Sequence, residues 1–293
     1  MVGAFGFNRL LIILIASLYG QVFSGYIDVY SHRFIFVDDD PILNPAHIGI
    51  FISTALAIYS SYNLKPYGFG FLVVFYGVVL QLFAGFFNEV FHLTIGDLDP
   101  VSPPHALLVV GMILSQLGLI ISVYTIRNFH SMIYRILALS LLWATGLGSG
   151  MYVSSILMDR GYMDLSIYIL SAITGLIAGG YIVIAPIFGF IISSWIYYIF
   201  SQIPLGFMAG IAYPPTAIAG GIILEVARKI EIPQSVKPLL AGALASIMLR
   251  VIHYPFLELS PLKIDLYLQS IPLGMVFGYI GFEIVKYLGE RIK

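Results

Sequence analysis

The sequence predicts an all-α integral membrane protein, and three observations support this prediction. Of the 293 residues, 59% are hydrophobic and only 10% are charged, whereas a soluble domain has about 25% charged residues. The mean hydropathy is +0.96. Apolar runs of about 20 residues, the length that crosses a bilayer as a helix, recur along the chain. We therefore expect a multi-pass protein of the cell membrane, surrounded by lipid.

The predicted helices follow these apolar runs in order. Five cover residues 10–30, 45–62, 67–91, 104–126 and 135–158, and two more cover 236–254 and 266–288. Residues 165–227 are almost uncharged and contain Pro186, Pro204 and Pro214-Pro215, which favours three crossings there. This gives about ten transmembrane helices. Residues 1–126 form a duplicated helical-hairpin unit (10–62 and 67–126), and residues 127–293 form a C-terminal helical bundle in the same membrane domain.

The distribution of charge predicts the orientation of these helices. Cytoplasmic loops of membrane proteins are enriched in Lys and Arg. With both termini in the cytoplasm, ten of the 14 basic residues fall inside and the other four outside. Close helix packing is predicted by glycines four residues apart, which occur at Gly175/Gly179, Gly206/Gly210 and Gly274/Gly278.

A repeated polar motif is the main indication of function. The first copy has Asp28, His32 and His47, and the second has Asn88, His92 and His105. Asp28 and His32 are four residues apart, as are Asn88 and His92, so each pair shares a helix face. Prolines follow each acidic loop and predict that Pro45 and Pro103 begin helices, which places His47 and His105 in first turns. All six side chains are expected near the outer membrane boundary.

Imidazole, carboxylate and amide groups in this pattern indicate a metal site. Ionisable groups at membrane depth are costly and usually functional. The chain has no cysteine, which excludes thiolate ligands and disulfides, so copper or another divalent metal is expected. We predict Asp28, His32, His47, Asn88, His92 and His105 as ligands. Acids and outer-end residues that would support or neutralise the site are Asp40, Asp97, Asp99, Arg250 and His253.

Two other cofactors stay open at this point. Haem b, held by paired histidines on facing helices, is the first alternative. The second comes from Glu89-x-x-His92, which matches the Glu-x-x-His element of di-iron carboxylate bundles, although the first copy has Val29 at the glutamate position. One shared site and two separate sites are both compatible with the repeat.

The segment from His92 to His105 resembles the C subunit of copper membrane monooxygenases, the particulate methane and ammonia enzymes. That family has an Asp-x3-His-x12-His copper motif, and the resemblance implies Asn88, His92 and His105 as a metal triad. The match covers about 18 residues, and Asn88 replaces the family's aspartate. In size and hydrophobicity the chain is also similar to the hydrophobic subunit of archaeal membrane-bound b-type cytochrome complexes.

These observations predict a membrane subunit of a respiratory or redox electron-transfer complex with an outward-facing, copper-type metal site. The chain itself is then a non-catalytic subunit of an oxidoreductase complex. Its expected partners are membrane lipid and other subunits, including an extracellular electron-transfer protein. The net charge of −1 gives no indication of nucleic acid binding. The alternatives are a cofactor-free anchor that docks an extracellular b-type cytochrome, a haem-binding subunit and a transporter.

Overall fold

The protein is nearly all helical wherever its structure is described, which confirms the all-α prediction. The computed structural model describes residues 4–30, 45–95, 102–125, 163–184, 188–199, 216–257 and 264–291, with residue 161 and six positions between 133 and 141. The side chains of His92, Arg250 and His253 lie outside this description. The chain divides into two compact units, Met1–His130 and Ser131–Lys293.

Membrane character is clear from the described helices. Four of them contain stretches long and apolar enough to cross a bilayer, namely Gly6–Gly25, Phe69–Ile95, Pro103–Val123 and Leu268–Tyr287. Large apolar side chains also point outward, among them Leu93, which is 74% exposed, and Phe86, which is 68% exposed. Apolar surfaces of this kind are stable in lipid and costly in water. The count of ten crossings and the helix at 135–158 reach beyond the described residues and stay predictions.

The described part of the first unit forms four helices, α1 (Ala4–Tyr30), α2 (Pro45–Leu64), α3 (Phe69–Ile95) and α4 (Pro103–Thr125). Proline occupies the first position of α2 and α4, where its missing N–H removes no helical hydrogen bond. The predicted helix starts at Pro45 and Pro103 are therefore confirmed. After α2, a 3-10 turn (Lys65–Tyr67) leads into α3. This helix continues about one turn beyond its predicted end at residue 91, so the backbone of His92 is helical.

Helices α1 to α4 pack against one another in chain order. Gly70 of α3 faces Gly118 of α4, and Gly77 faces Gly111. The order of these contacts shows that α3 and α4 run antiparallel. A Cβ atom on Gly118 would lie 2.6 Å from the carbonyl oxygen of Gly70, so the backbones approach more closely than larger side chains allow. The antiparallel hairpins bring the end of α1 and the start of α2 together, and likewise the end of α3 and the start of α4.

The described part of the second unit contains α5 (Met163–Ile184), α6 (Gly189–Tyr197), α7 (Thr216–Lys229), α8 (Lys237–Leu257) and α9 (Ile264–Arg291). Helices α5, α8 and α9 pack on one another, and α7 contacts both α6 and α8. Gly175 and Gly179 of α5 meet Gly274 and Gly278 of α9, which confirms the close packing predicted for these glycines. Gly206 and Gly210 lie outside the described residues.

A buried carboxylate fixes the start of α6 in this unit. Glu225 of α7 is 2% exposed. Its two oxygens accept hydrogen bonds from the backbone N–H groups of Phe188, at 3.1 Å, and Phe190, at 3.4 Å. It also forms an ion pair with Arg228, one turn later on α7. Glu225 thus satisfies N–H groups that the first turn of a helix leaves unpaired, and it has a structural role.

Candidate functional site

The candidate site lies where the two N-terminal hairpins bring their polar ends together. Asp28 is near the end of α1, and His47 is in the first turn of α2. Asn88 and Glu89 are near the end of α3, and His105 is in the first turn of α4. These five side chains line one cavity of about 50 Å³. Both copies of the repeated motif therefore contribute to the same cavity.

His47 is the centre of the charged part of this cavity. Its Nε2 atom lies 2.8 Å from Oδ1 of Asp28, and its Nδ1 atom lies 3.5 Å from Oε1 of Glu89. The side chains of His47 and Glu89 are each only 11% exposed. The 3.5 Å separation is too long for a hydrogen bond, so the geometry gives two ion-pair contacts. When His47 is protonated, its imidazolium lies between the two carboxylates.

Two buried oxygens in the cavity lack hydrogen-bond donors among the described residues. They are Oδ1 of Asn88 and Oε2 of Glu89. A buried polar atom without a partner costs about 1–3 kcal/mol, and more for a charged group. Such atoms usually indicate a water molecule or an ion. Both atoms are acceptors, so the missing partner is a cation or a hydrogen-bond donor.

His105 is oriented by a hydroxyl group at the start of α4. Oγ of Ser102 lies 2.7 Å from Nδ1 of His105, and Ser102 is only 3% exposed. The carbonyl oxygen of Ser102 also accepts the first α4 hydrogen bond, from Ala106. Ser102 therefore engages the Nδ1 side of the His105 ring.

Uncharged polar side chains form the deeper part of the cavity, here called the floor and defined by Thr54 and Gln81. The Nε2 atom of Gln21 donates to Oγ1 of Thr54 at 2.9 Å, joining α1 to α2. The Nε2 atom of Gln81 donates to Oγ of Ser115 at 3.2 Å, joining α3 to α4. Gln21 and Gln81 are 60 residues apart, which is the offset of the repeated motif. The two hairpins therefore contain equivalent glutamine–hydroxyl pairs.

Four of the six predicted ligands, Asp28, His47, Asn88 and His105, line the cavity. The other two cannot be placed in this way, because His32 and the side chain of His92 lie outside the described residues. The same applies to the supporting residues Asp40, Asp97 and Asp99, and to the side chains of Arg250 and His253. The assignment of ligands stays a prediction. Within the described ranges, no group of three or more His, Asp or Glu side chains has the arrangement of a metal site.

The sequence motif indicates Glu89 only for the di-iron alternative and does not include the floor residues. In the structure, the carboxylate of Glu89 contacts His47 of the other hairpin. The floor had a readable signal, since Gln21, Phe23 and Gly25 recur 60 residues later as Gln81, Phe83 and Gly85.

Comparison of the chain with protein-family models, curated proteins and solved structures found no significant match.

Proposed function

We propose that this chain is the membrane subunit of a redox electron-transfer complex and binds one copper-type divalent metal ion between its two N-terminal hairpins. The observation that supports this most strongly is the gathering of Asp28, His47, Asn88, Glu89 and His105 around one small cavity. Two acceptor oxygens there, on Asn88 and Glu89, lack donors among the described residues. A bound cation would satisfy both oxygens.

The charge of the cavity also favours a divalent cation. Asp28 and Glu89 together contribute −2 when ionised, and among the described lining residues a protonated His47 supplies +1. Removing unbalanced charge from water is costly, by several kcal/mol per ion in real proteins. A divalent metal bound with a neutral His47 brings the total to zero, and it releases a proton from the imidazole.

The donor atoms narrow the choice of metal. Imidazole nitrogen with carboxylate and amide oxygen suits copper(II), zinc or iron, whereas soft sites use thiolate or thioether groups. The chain has no cysteine. The cavity volume of about 50 Å³ is sufficient for a single ion.

We infer one shared site and not two. The second copy of the motif has Asn88 where the first has Asp28, so it lacks a negative charge at that position. Glu89 is the next residue along α3, and its carboxylate contacts His47 of the first hairpin. Each hairpin then supplies one carboxylate and one imidazole to the common site. The motif spacing that resembles copper membrane monooxygenases gives independent support for copper.

The proposed topology has ten crossings and both termini in the cytoplasm, which places the site near the extracellular face. Its support is the excess of Lys and Arg in the loops assigned to the cytoplasm. The acidic loops on the outer side, with Asp40, Asp97 and Asp99, would then face an extracellular electron-transfer partner. A cofactor-free anchor is the second candidate, since the 2.8 Å contact between Asp28 and His47 closes the first hairpin without a metal.

Metal content of the purified full-length protein tests the proposal. Copper, zinc and iron are measured per chain after purification in mild detergent and dialysis against each metal. We expect about one ion per chain, and loss of that ion in both Asp28→Asn and Glu89→Gln, because each removes one carboxylate from the shared site. Glu283→Gln is the matched control, since it makes the same change in α9 of the other unit.

Three results separate the candidates. Retention of the metal in Asp28→Asn and Glu89→Gln contradicts a site at this cavity. Two ions per chain, each lost in only one of these variants, contradict a shared site. A metal-free protein that still binds its partner subunits supports the anchor.

A further inference from the structure

One face of α9 is exposed along its membrane-spanning stretch. Only 22% of the stretch Leu268–Tyr287 is buried, whereas 50% of Gly6–Gly25 is buried. The buried side of α9 contains the glycines that meet α5. On the opposite side, Val276 is 54% exposed and Tyr279 is 39% exposed. This side of α9 is therefore available to a further molecule in the membrane.

Six residues of the exposed face recur at the spacing of a helix–helix seam. Their positions are alternately three and four residues apart, which is the spacing that keeps two helices in contact along a left-handed crossing. Five of them are exposed and Glu283 is half-buried. The six residues, here called the α9 seam, are Gln269, Pro272, Val276, Tyr279, Glu283 and Lys286.

The C-terminal half of this face contains an unfilled groove of about 390 Å³. All the residues that line it belong to α9, and they are Tyr279, Ile280, Glu283, Ile284 and Tyr287. The carboxylate of Glu283 lies beside the hydroxyl group of Tyr279, one turn earlier. A carboxylate within a transmembrane stretch is costly unless a cation or a hydrogen-bond donor accompanies it. The groove therefore suits a partner that brings a positively charged side chain.

The polar residues of the α9 seam complement themselves, which favours a second copy of this chain as that partner. Lys286 is exposed one turn after Glu283, and neither residue forms an ion pair within the described part of the chain. In a parallel pair of helices, each seam residue packs against the neighbouring layers of the other helix, so Glu283 of each copy reaches Lys286 of the other. At the other end of the stretch, Oε1 of Gln269 accepts a hydrogen bond from Tyr168, and the amide N–H groups of Gln269 can donate to the same amide of a second copy.

We propose that the α9 seam binds the α9 seam of a second copy of this chain, giving a dimer with two-fold symmetry. Copies of a membrane protein share one orientation in the bilayer, so the two helices are parallel and each contact occurs twice. Two reciprocal Glu283–Lys286 ion pairs and the paired Gln269 amides join the copies, and Val276 and Tyr279 pack in the layers between them. The inference concerns the second unit alone and is independent of the metal site.

Disulfide trapping in native membranes tests the dimer. The chain has no cysteine, so Val276→Cys places a single thiol in the middle of the α9 seam. Two cysteines form a disulfide only when their Cα atoms lie within about 7 Å of each other. Oxidation is expected to convert Val276→Cys to a covalent dimer on a denaturing gel without reductant. Val226→Cys is the matched control and is expected to stay monomeric, because Val226 is 57% exposed on α7, outside the seam.

Charge reversal in the Val276→Cys protein tests the ion pairs. Glu283→Lys and Lys286→Glu each place like charges across the seam and are expected to slow trapping about tenfold or more. The two changes combined restore opposite charges and are expected to restore trapping.

Two sets of results would overturn the inference. Absence of a Val276→Cys dimer, equal trapping of Val276→Cys and Val226→Cys, or a disulfide with a different protein would refute the second copy as partner. Trapping that either single charge reversal leaves unchanged, or that the combined exchange fails to restore, would refute the reciprocal ion pairs.

Discussion

The close approach of α3 and α4 predicts a specific cost for adding one methyl group. In Gly118→Ala, the new Cβ would lie 2.6 Å from the carbonyl oxygen of Gly70 and 2.5 Å from the backbone nitrogen of Val74. Both atoms belong to the backbone of α3, so no rotamer change relieves the overlap and the helices must separate. Overpacking costs about 1–3 kcal/mol, and alanine regains up to about 1 kcal/mol of helix propensity. With backbone contacts at the upper end of that range, the net destabilisation is roughly 2 kcal/mol.

Thiol labelling in detergent measures this cost. The chain has no cysteine, so Val78→Cys, at a fully buried position of α3, introduces a single thiol that reacts only when the helices open. A loss of about 2 kcal/mol increases the labelling rate roughly thirtyfold. Gly25→Ala is the matched control, because its Cβ would meet no atom within 4 Å. Equal labelling rates for Gly118→Ala and Gly25→Ala would refute the close packing of α3 and α4.

Three further predictions concern the second unit, the metal and the topology. Glu225→Gln is expected to destabilise the start of α6 by about 1–3 kcal/mol. The readout is a red shift in the fluorescence of Trp195, measured in a protein in which Trp143 is replaced by Phe. An unchanged spectrum would contradict the capping role of Glu225. Metal affinity is expected to fall as the pH is lowered, because protons compete for the imidazole and carboxylate donors. A metal titration that gives the same affinity at each pH would contradict these ligands. Single cysteines at Pro103 and Lys65 should be labelled by a membrane-impermeant reagent from opposite sides, Pro103 from outside; labelling of both from one side would overturn the topology.

Individual proline and glycine positions predicted the helix starts and helix contacts that depend on those residues alone. Proline at the first helical position marked the starts of α2 and α4. Glycine spacing anticipated the contact of α5 with α9, because only residues without side chains let the two backbones meet. The number of crossings was predicted by counting charges along 63 residues interrupted by prolines. Of these residues, 19 lie outside the described ranges, including all four prolines.

Part of the candidate site could be predicted from the sequence, because repeated residues at equivalent helix ends come together at one end of a pair of hairpins. Asp28, His47, Asn88 and His105 do line one cavity. The role of Glu89 was not readable in the same way. Asn88 and Glu89 are about 100° apart around α3, and the approach of α2 to α3 decides that Glu89 contacts His47. Long-range packing of this kind leaves no signal in the spacing of one motif. Gln21 and Gln81 did leave one, since they share the 60-residue offset of the histidines.

The most direct test of the shared metal site is its location by anomalous scattering at the absorption edge of the bound metal. We predict a single site per chain, with the metal about 2.0–2.2 Å from a nitrogen of His47 and from carboxylate oxygens of Asp28 and Glu89. That position would place ligands from both hairpins on one ion, and because Asp28 and Glu89 face different nitrogens of His47, one of the two carboxylates must turn towards the metal-bound nitrogen. A metal outside this cavity, or separate ions on the two hairpins, would contradict the shared site.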